Sequence, residues 1–257
     1  MNELNDYKEF AVHLAHLSGK FIKKHYRTEL TIETKSDDSP VTMADKGAEE
    51  LLRNKIMSEF PEHGILGEEF GIYNETAEYK WILDPIDGTK SFISGIATFG
   101  TLIGLVKNGI PILGLFHQPI IGELLIGDNE TTKLNTKNVK IRQCEKIEEA
   151  TLLVSDHFMI GNYKNQPAFD KLAKKVKLYR TWGDCFGYYL LCSGYADIMV
   201  DPIMSPWDAL PLIPIIKGAG GVVTDYEGND PVKGNSIIAA SNVIHSQVVK
   251  ILNDDEQ

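Results

Sequence analysis

Strand-like and helix-like segments alternate along nearly the whole chain and predict an α/β (α+β) protein with mixed sheets sandwiched by helices. Three observations carry that prediction. The first 22 residues follow the spacing of an amphipathic helix, a series of strand-like runs begins at Gly64, and in the second half short apolar runs alternate with helical patterns.

The apolar positions Tyr7, Phe10, Leu14, Leu17, Phe21 and Ile22 recur at three and four residues, which makes one helix face. His13 and His16 fall on exposed or boundary positions of that helix, and no partner follows them at metal-ligand spacing. A short strand, TIETKS, and a loop, SDDSP, lead to a second helix from about Thr42 to Phe60, built on Ala44, Ala48, Leu51, Leu52 and Ile56. Asp45 stands three residues after Thr42, the spacing of a capping box. The segments GILGE, WILD, GTLIGLV and IPILGLF then read as strands, the last two joined at Asn108-Gly109, a strong hairpin signal. Beyond them come strand TLLVSD, helix FDKLAKK, strand VKLYR, helix DCFGYYLLC, strand ADIMVD, a helix from WDALPL, strands GVVTD and SIIAAS, and a final helix. With no repeat or long linker, residues 1–257 read as a single domain, and a division near 135–150 separates subdomains of about 1–140 and 141–257.

Composition narrows the function. A net charge of −10 argues against nucleic acid as a partner, because duplex affinity rests on Lys and Arg neutralising phosphates. Cys144, Cys185 and Cys192 are odd in number and lack Cys-x-x-Cys spacing, so they read as reduced packing residues. The opening MNELNDYKEF lacks the basic and apolar regions of a secretory leader, and no apolar run approaches a membrane span, so a cytoplasmic protein without membrane contact is expected.

The segment WILDPIDGT concentrates the chemistry. Asp84 follows an apolar run, and Pro85 disfavours helix at the residue before it, so Asp84 is expected to end a buried strand with its carboxylate at the sheet edge. Gly88 permits close backbone approach to a ligand, and TKSFIS can begin a helix whose unpaired N–H groups suit a phosphate. A phosphate about 4 Å from one carboxylate is repelled by roughly 4 kcal/mol per unit charge pair at an effective dielectric near 20. Divalent cations remove that difficulty, and Mg2+ accepts carboxylate oxygens while retaining phosphate oxygens and waters. An Asx turn at Asp84 to Asp87 is the simpler alternative, so the metal reading needs further acids. Glu68, in Gly67-Glu68-Glu69, and Asp208, in Trp207-Asp208, supply them, although alone the first reads as a solvated carboxylate and the second as an N-cap.

These residues, with PVTMAD near the start and GAGG after PWDALPL, resemble the inositol monophosphatase-like superfamily of Mg2+-dependent phosphatases, in order and spacing over nearly the entire chain. The resemblance implies a layered α/β/α/β/α sandwich, two or three Mg2+ ions, and a homodimer. It implies Glu68, Asp84, Asp87 and Asp208 as metal ligands together with the Ile86 carbonyl. Gly88 and Thr89 would hold phosphate through backbone N–H groups. The Thr89 hydroxyl, paired with Asp45, would orient or deprotonate the attacking water, with Glu68 also in the catalytic set. Hydrolysis would proceed by in-line attack of a metal-activated water, without a phosphoenzyme.

Substrate choice is expected in TWGDCFGYYLL and VDPIMSPWD, where Gly183, Asp184, Asp201 and Asp208 would meet the substrate beside Ile86, Asp87, Gly88 and Thr89. Together with FGTLIGL through GLFHQP, these segments resemble the histidinol-phosphatase branch, and Asp184 and Asp201 suit a cationic leaving group. Asp184 could instead cap the following helix, and Asp201 could be a turn residue before Pro202. An inositol or sugar-phosphate phosphatase is the nearest competitor. A bisphosphatase fits less well, since no basic cluster for a second phosphate is evident. A haloacid dehalogenase-type motif spaces its aspartates by two, not three, and a noncatalytic partner-binding member of the fold would have no need to keep Thr89 and every ligand.

Overall fold

The computed structural model describes residues 3–29, 32–34 and 40–254. The expected loop residues 36–39 and the ends of the strand TIETKS lie outside the described residues.

Helix α1 (Glu3–Lys23) turns Tyr7, Ala11, Leu14, Ala15 and Ile22 inward. Strands β1 (Ile32–Thr34) and β2 (Pro40–Thr42) pair antiparallel and lead into α2 (Met43–Glu59). Thr42 caps α2, and the Asp45 carboxylate returns to the Thr42 N–H at 2.8 Å, completing the expected capping box. Strands β3 (Gly64–Gly67), β4 (Gly71–Tyr73) and β5 (Tyr79–Asp87) follow, then the short helix α3 (Thr89–Ile93). Strands β6 (Gly100–Lys107) and β7 (Ile110–Gln118) form the hairpin expected at Asn108-Gly109, where both residues adopt positive φ, 49° and 82°. Strands β8 (Glu123–Gly127), β9 (Thr132–Leu134) and β10 (Lys137–Asn138) complete an eight-stranded sheet in the order β10-β9-β8-β7-β6-β5-β3-β4.

The second half begins with β11 (Thr151–Val154), α4 (His157–Tyr163), α5 (Gln166–Lys175), β12 (Leu178–Arg180) and α6 (Asp184–Cys192). It continues through β13 (Ile198–Asp201), α7 (Pro206–Gly218), β14 (Gly221–Thr224), β15 (Ile237–Ser241) and α8 (His245–Asn253). Its five strands form a mixed sheet in the order β12-β11-β13-β15-β14. Strands β4, β8, β9 and β10 and the short helix α4 are additions to the elements read from sequence.

Five layers result. Helices α1 and α2 cover one face of the large sheet, α6 and α7 lie between the two sheets, and α5 and α8 cover the outer face of the small one. Helix α7 is apolar nearly all round, as its place between two sheets requires. It can approach the large sheet closely because Gly114 and Gly127 stand beneath it, and a Cβ at either would overlap α7 backbone at Pro211 or Ile215.

One expectation is corrected. The strand carrying Asp84 continues through Pro85 to Asp87, with an irregularity in its pairing to β6 between the two aspartates. Proline is tolerated because β3 has already ended at Gly67, opposite Leu83, and the freed Pro85 carbonyl accepts the Thr101 hydroxyl at 2.8 Å. Asp84 is therefore buried within a central strand, three residues before its end at Asp87, and is 2% exposed.

Candidate active site

The carboxyl ends of β5, β11 and β13 meet the amino ends of α2, α3, α6 and α7 in one region, so strand-end acids lie beside helix dipoles that favour negative charge. The pairing irregularity in β5 lies between Asp84 and Asp87, where such irregularities can re-aim side chains, and both residues offer oxygens to the same region. One carboxylate oxygen each from Asp84, Asp87 and Asp208 lies within 4.8 Å of the others. Asp208 is the third residue of α7. It accepts the Ser205 N–H at 3.0 Å, so Ser205 is the N-cap and Asp208 closes a capping box, correcting the expectation of an N-cap at 208.

The acids crowd one another. Asp84 is held well above the ordinary carboxylate range by burial first, then by the charges of Glu68, Asp87 and Asp208. Burial and the charges of Asp184 and Asp208 raise Asp87, against two lowering contacts from Cys185, whose backbone N–H donates to Asp87 Oδ2. Asp208 is pushed up to about 7 by burial, with Glu68 adding to the shift. Glu68, half-buried after β3, thus acts electrostatically on Asp84, Asp208 and Asp45 instead of standing apart in solvent. Buried carboxylates that repel one another at this spacing are an oxygen-rich donor set suited to a hard divalent cation. Asp84 also makes the Asx-type bond, Ile86 N–H to Oδ1 at 3.0 Å, so the turn and the acid cluster coexist.

A second group adjoins the cluster. Asp45 directs Oδ2 to its own helix cap, while Oδ1 faces the Thr89 hydroxyl at 3.4 Å. That hydroxyl lies 3.0 Å from the Ile86 carbonyl, so Asp45, Ile86 and Thr89 form one hydrogen-bonded set. Burial raises the Asp45 carboxyl against the lowering bonds from Thr42. Gly88 takes φ 84° and starts α3 without a side-chain cap, as a residue lacking Cβ can.

Beside the acid cluster is a cavity of about 110 Å³ lined by Asp87, Asp208, Asp184, Asp201, Ser155 and Asp156, among others. Asp184 is the first residue of α6 and not its N-cap, which is Gly183; it adopts φ 50°, and its N–H donates to Ser155 Oγ at 2.8 Å. Gly183 has no room for a side chain because Ser155 backbone fills that space. Burial raises the Asp184 carboxyl, and Lys90 pulls it back. Asp201 ends β13 and is tied on both sides, Oδ1 by Ser155 Oγ at 2.6 Å and Oδ2 by Tyr188 OH at 2.8 Å. Burial lifts it to about 7. Ser155, Asp156, Tyr188 and Lys90 were missed in the sequence; the strand-terminal position of Ser155-Asp156 was the available signal, since ligands gather at strand carboxyl ends in α/β sheets.

The inositol monophosphatase family profile matches residues 3–257, essentially the whole described chain. The chain belongs to that family. It is 40% identical to a bifunctional phosphatase, IMPL2, chloroplastic, of Arabidopsis thaliana, over 97% of this chain and 76% of that protein. Its identity to a histidinol-phosphatase of Chlorobaculum parvum is 35%, over 97% of each chain. The solved structure of an inositol monophosphatase from Zymomonas mobilis superposes with a TM-score of 0.88 at 34% identity, covering 99% of this chain and 100% of the other. As a member of this family the chain is a phosphatase, and its layered fold is that of its solved relatives. No helix among the described residues is long and apolar enough to cross a membrane.

Proposed function

We propose that the chain is a Mg2+-dependent phosphomonoesterase that converts L-histidinol phosphate to L-histidinol and phosphate, a step of histidine biosynthesis. The observation that carries the substrate is the charge of the cavity: Asp184, Asp156 and Asp201 line it beside Asp87 and Asp208, and no Lys or Arg is among its lining residues. A leaving alcohol bearing an ammonium and an imidazole offsets that surplus of acid, which a neutral polyol cannot do. Asp184 is assigned the direct contact. Asp201, whose oxygens already accept from Ser155 and Tyr188, contributes field and shape.

In this reading Glu68, Asp84, Asp87, Asp208 and the Ile86 carbonyl hold two or three Mg2+ ions. Bound there, the cations supply charge against the anionic ester, activation of a water and stabilisation of the departing alkoxide. Backbone N–H groups of Gly88 and Thr89 hold the phosphate at the uncapped start of α3. The Thr89 hydroxyl orients the attacking water, and Asp45 Oδ1 receives a proton through it. The same proposal includes a homodimer acting in the cytoplasm.

A second reading, an inositol monophosphatase, is favoured by the likeness to the Zymomonas mobilis enzyme, at an identity one percentage point below that of the histidinol-phosphatase relative. A noncatalytic member of the fold is disfavoured because Thr89, Asp45 and the acids are all present and face one another. Phosphate release with Mg2+ from histidinol phosphate, inositol 1-phosphate and fructose 1,6-bisphosphate at equal concentration tests the proposal. Highest kcat/KM for histidinol phosphate is expected; a higher value for inositol phosphate selects the second reading, and no release from any ester selects the noncatalytic one.

A further inference from the structure

A buried carboxylate outside the acid cluster lies under the turn that carries Glu68. Glu49 is on the inner face of α2, one helical turn after Asp45, and is wholly buried. Its Oε2 accepts the Glu69 N–H at 2.7 Å, and its Oε1 accepts the Phe70 N–H and Arg53 Nη1, each at 3.2 Å. Arg53 continues to the Gly71 carbonyl at 2.9 Å, so the turn from β3 to β4 is held at both ends. At Gly67 a Cβ would overlap the Glu49 carboxylate, which explains why glycine must precede Glu68. The other inward residues of this face include Ala44, Ala48, Leu52 and Ile56. An apolar side chain would continue that packing without the desolvation cost of a carboxylate. What Glu49 adds is the fixed backbone of residues 68 to 70.

We infer that Glu49 is a positioning residue for the cation site: by holding the Glu69 and Phe70 amides it fixes the turn from which Glu68 reaches the acid cluster. The inference rests on the reading of Glu68 as a cation ligand. Helix α2 then serves the site at two levels, through Asp45 at Thr89 and through Glu49 at the Glu68 turn.

Titration calorimetry of the cation-free protein with MgCl2 tests it. Glu49→Gln keeps the size of the side chain but sets an NH2 donor against a backbone donor. A rise in the Mg2+ dissociation constant of about 10- to 100-fold is expected, as for the loss of other groups that orient metal ligands. At saturating Mg2+, kcat should recover to within a few-fold of wild type. Adding Glu49→Gln to Glu68→Gln should weaken Mg2+ no further, because both changes act on one ligand. Ile56→Val, on the same buried face, is expected to lower stability with Mg2+ affinity unchanged. Wild-type affinity in a folded Glu49→Gln, or full additivity in the double variant, overturns the inference. Should Glu49→Gln not fold, Arg53→Gln removes the outer brace, and unchanged affinity there overturns it as well. If Glu68→Gln itself binds Mg2+ normally, the ligand reading fails and the inference with it; if only Glu68→Gln weakens binding, the ligand reading stands and the positioning role falls.

Discussion

At the scale of single residues, the Thr89 hydroxyl, 3.4 Å from Asp45 Oδ1, is in the proposed mechanism the group through which Asp45 meets the reacting water. Removing it leaves the acid cluster in place, so Thr89→Ala should bind Mg2+ normally while kcat for phosphate release falls by about 10²- to 10⁴-fold, the usual range for a lost proton-transfer group. A loss of less than tenfold would mean that Asp45 serves α2 alone. Asp184 is a test of specificity. Asp184→Asn keeps the side-chain shape but removes the charge, and should reduce kcat/KM for histidinol phosphate by about 10- to 100-fold, the equivalent of roughly 1 to 3 kcal/mol for an unpaired polar group. Turnover of a neutral ester should change little, and equal losses on both would make the acid structural. The paired aspartates of WILDPIDGT were legible in the sequence by residue type and spacing, whereas Glu68 and Asp208, which alone read as a solvated carboxylate and an N-cap, gained a ligand reading only beside them and through the family resemblance. Tyr188 and Glu49 were not, because each acts through a partner remote in sequence, and Ser155 offered only its place after the end of β11.

At the scale of elements, α7 brings Asp208 to acids that belong to β5. Its approach depends on Gly114 in β7, where a side chain would collide with the Pro211 carbonyl. Gly114→Ala should therefore cost about 1 to 3 kcal/mol as an overpacked core does, read as a lower urea midpoint. It should also weaken Mg2+ binding, because displacing α7 moves Asp208. Full stability with intact Mg2+ affinity would show that the helix can shift without consequence. Periodicity predicted most elements here, since α1, α2 and the β6–β7 hairpin carry their own local signals. It misplaced the end of β5, because the proline rule describes a local preference, whereas the strand is held by pairing to β6 and by the Thr101 bond to the Pro85 carbonyl.

At the scale of the whole molecule, buried titrating groups couple stability to pH in opposite senses. His117 in β7 is held down to about 4 by burial, with His16 and Lys23 contributing. An unfolded imidazole titrates near 6.5, so between these values the unfolded chain binds more protons and stability falls as pH falls. The contribution of this 6% exposed group is at most about 3 kcal/mol and is complete near pH 4. The raised acids of the cation-free site have the contrary sign, gaining protons on folding, so the comparison must be made between variants. Urea unfolding of wild type and His117→Gln from pH 7 to 4.5 should show a steeper loss in wild type; identical slopes would remove His117 from the account.

The acid cluster draws its members from both sheets' territory, with Asp84 and Asp87 on β5 and Asp208 on α7. During synthesis, the aspartates of DPIDGT therefore leave the ribosome well before the third carboxylate, Asp208, exists. The nascent amino-terminal half carries a half-built centre, and only the arrival of α7 between the layers completes it. Under the proposed function, catalytic competence is thus a late event in the life of each molecule, since the cation site lacks Asp208 until α7 has been made.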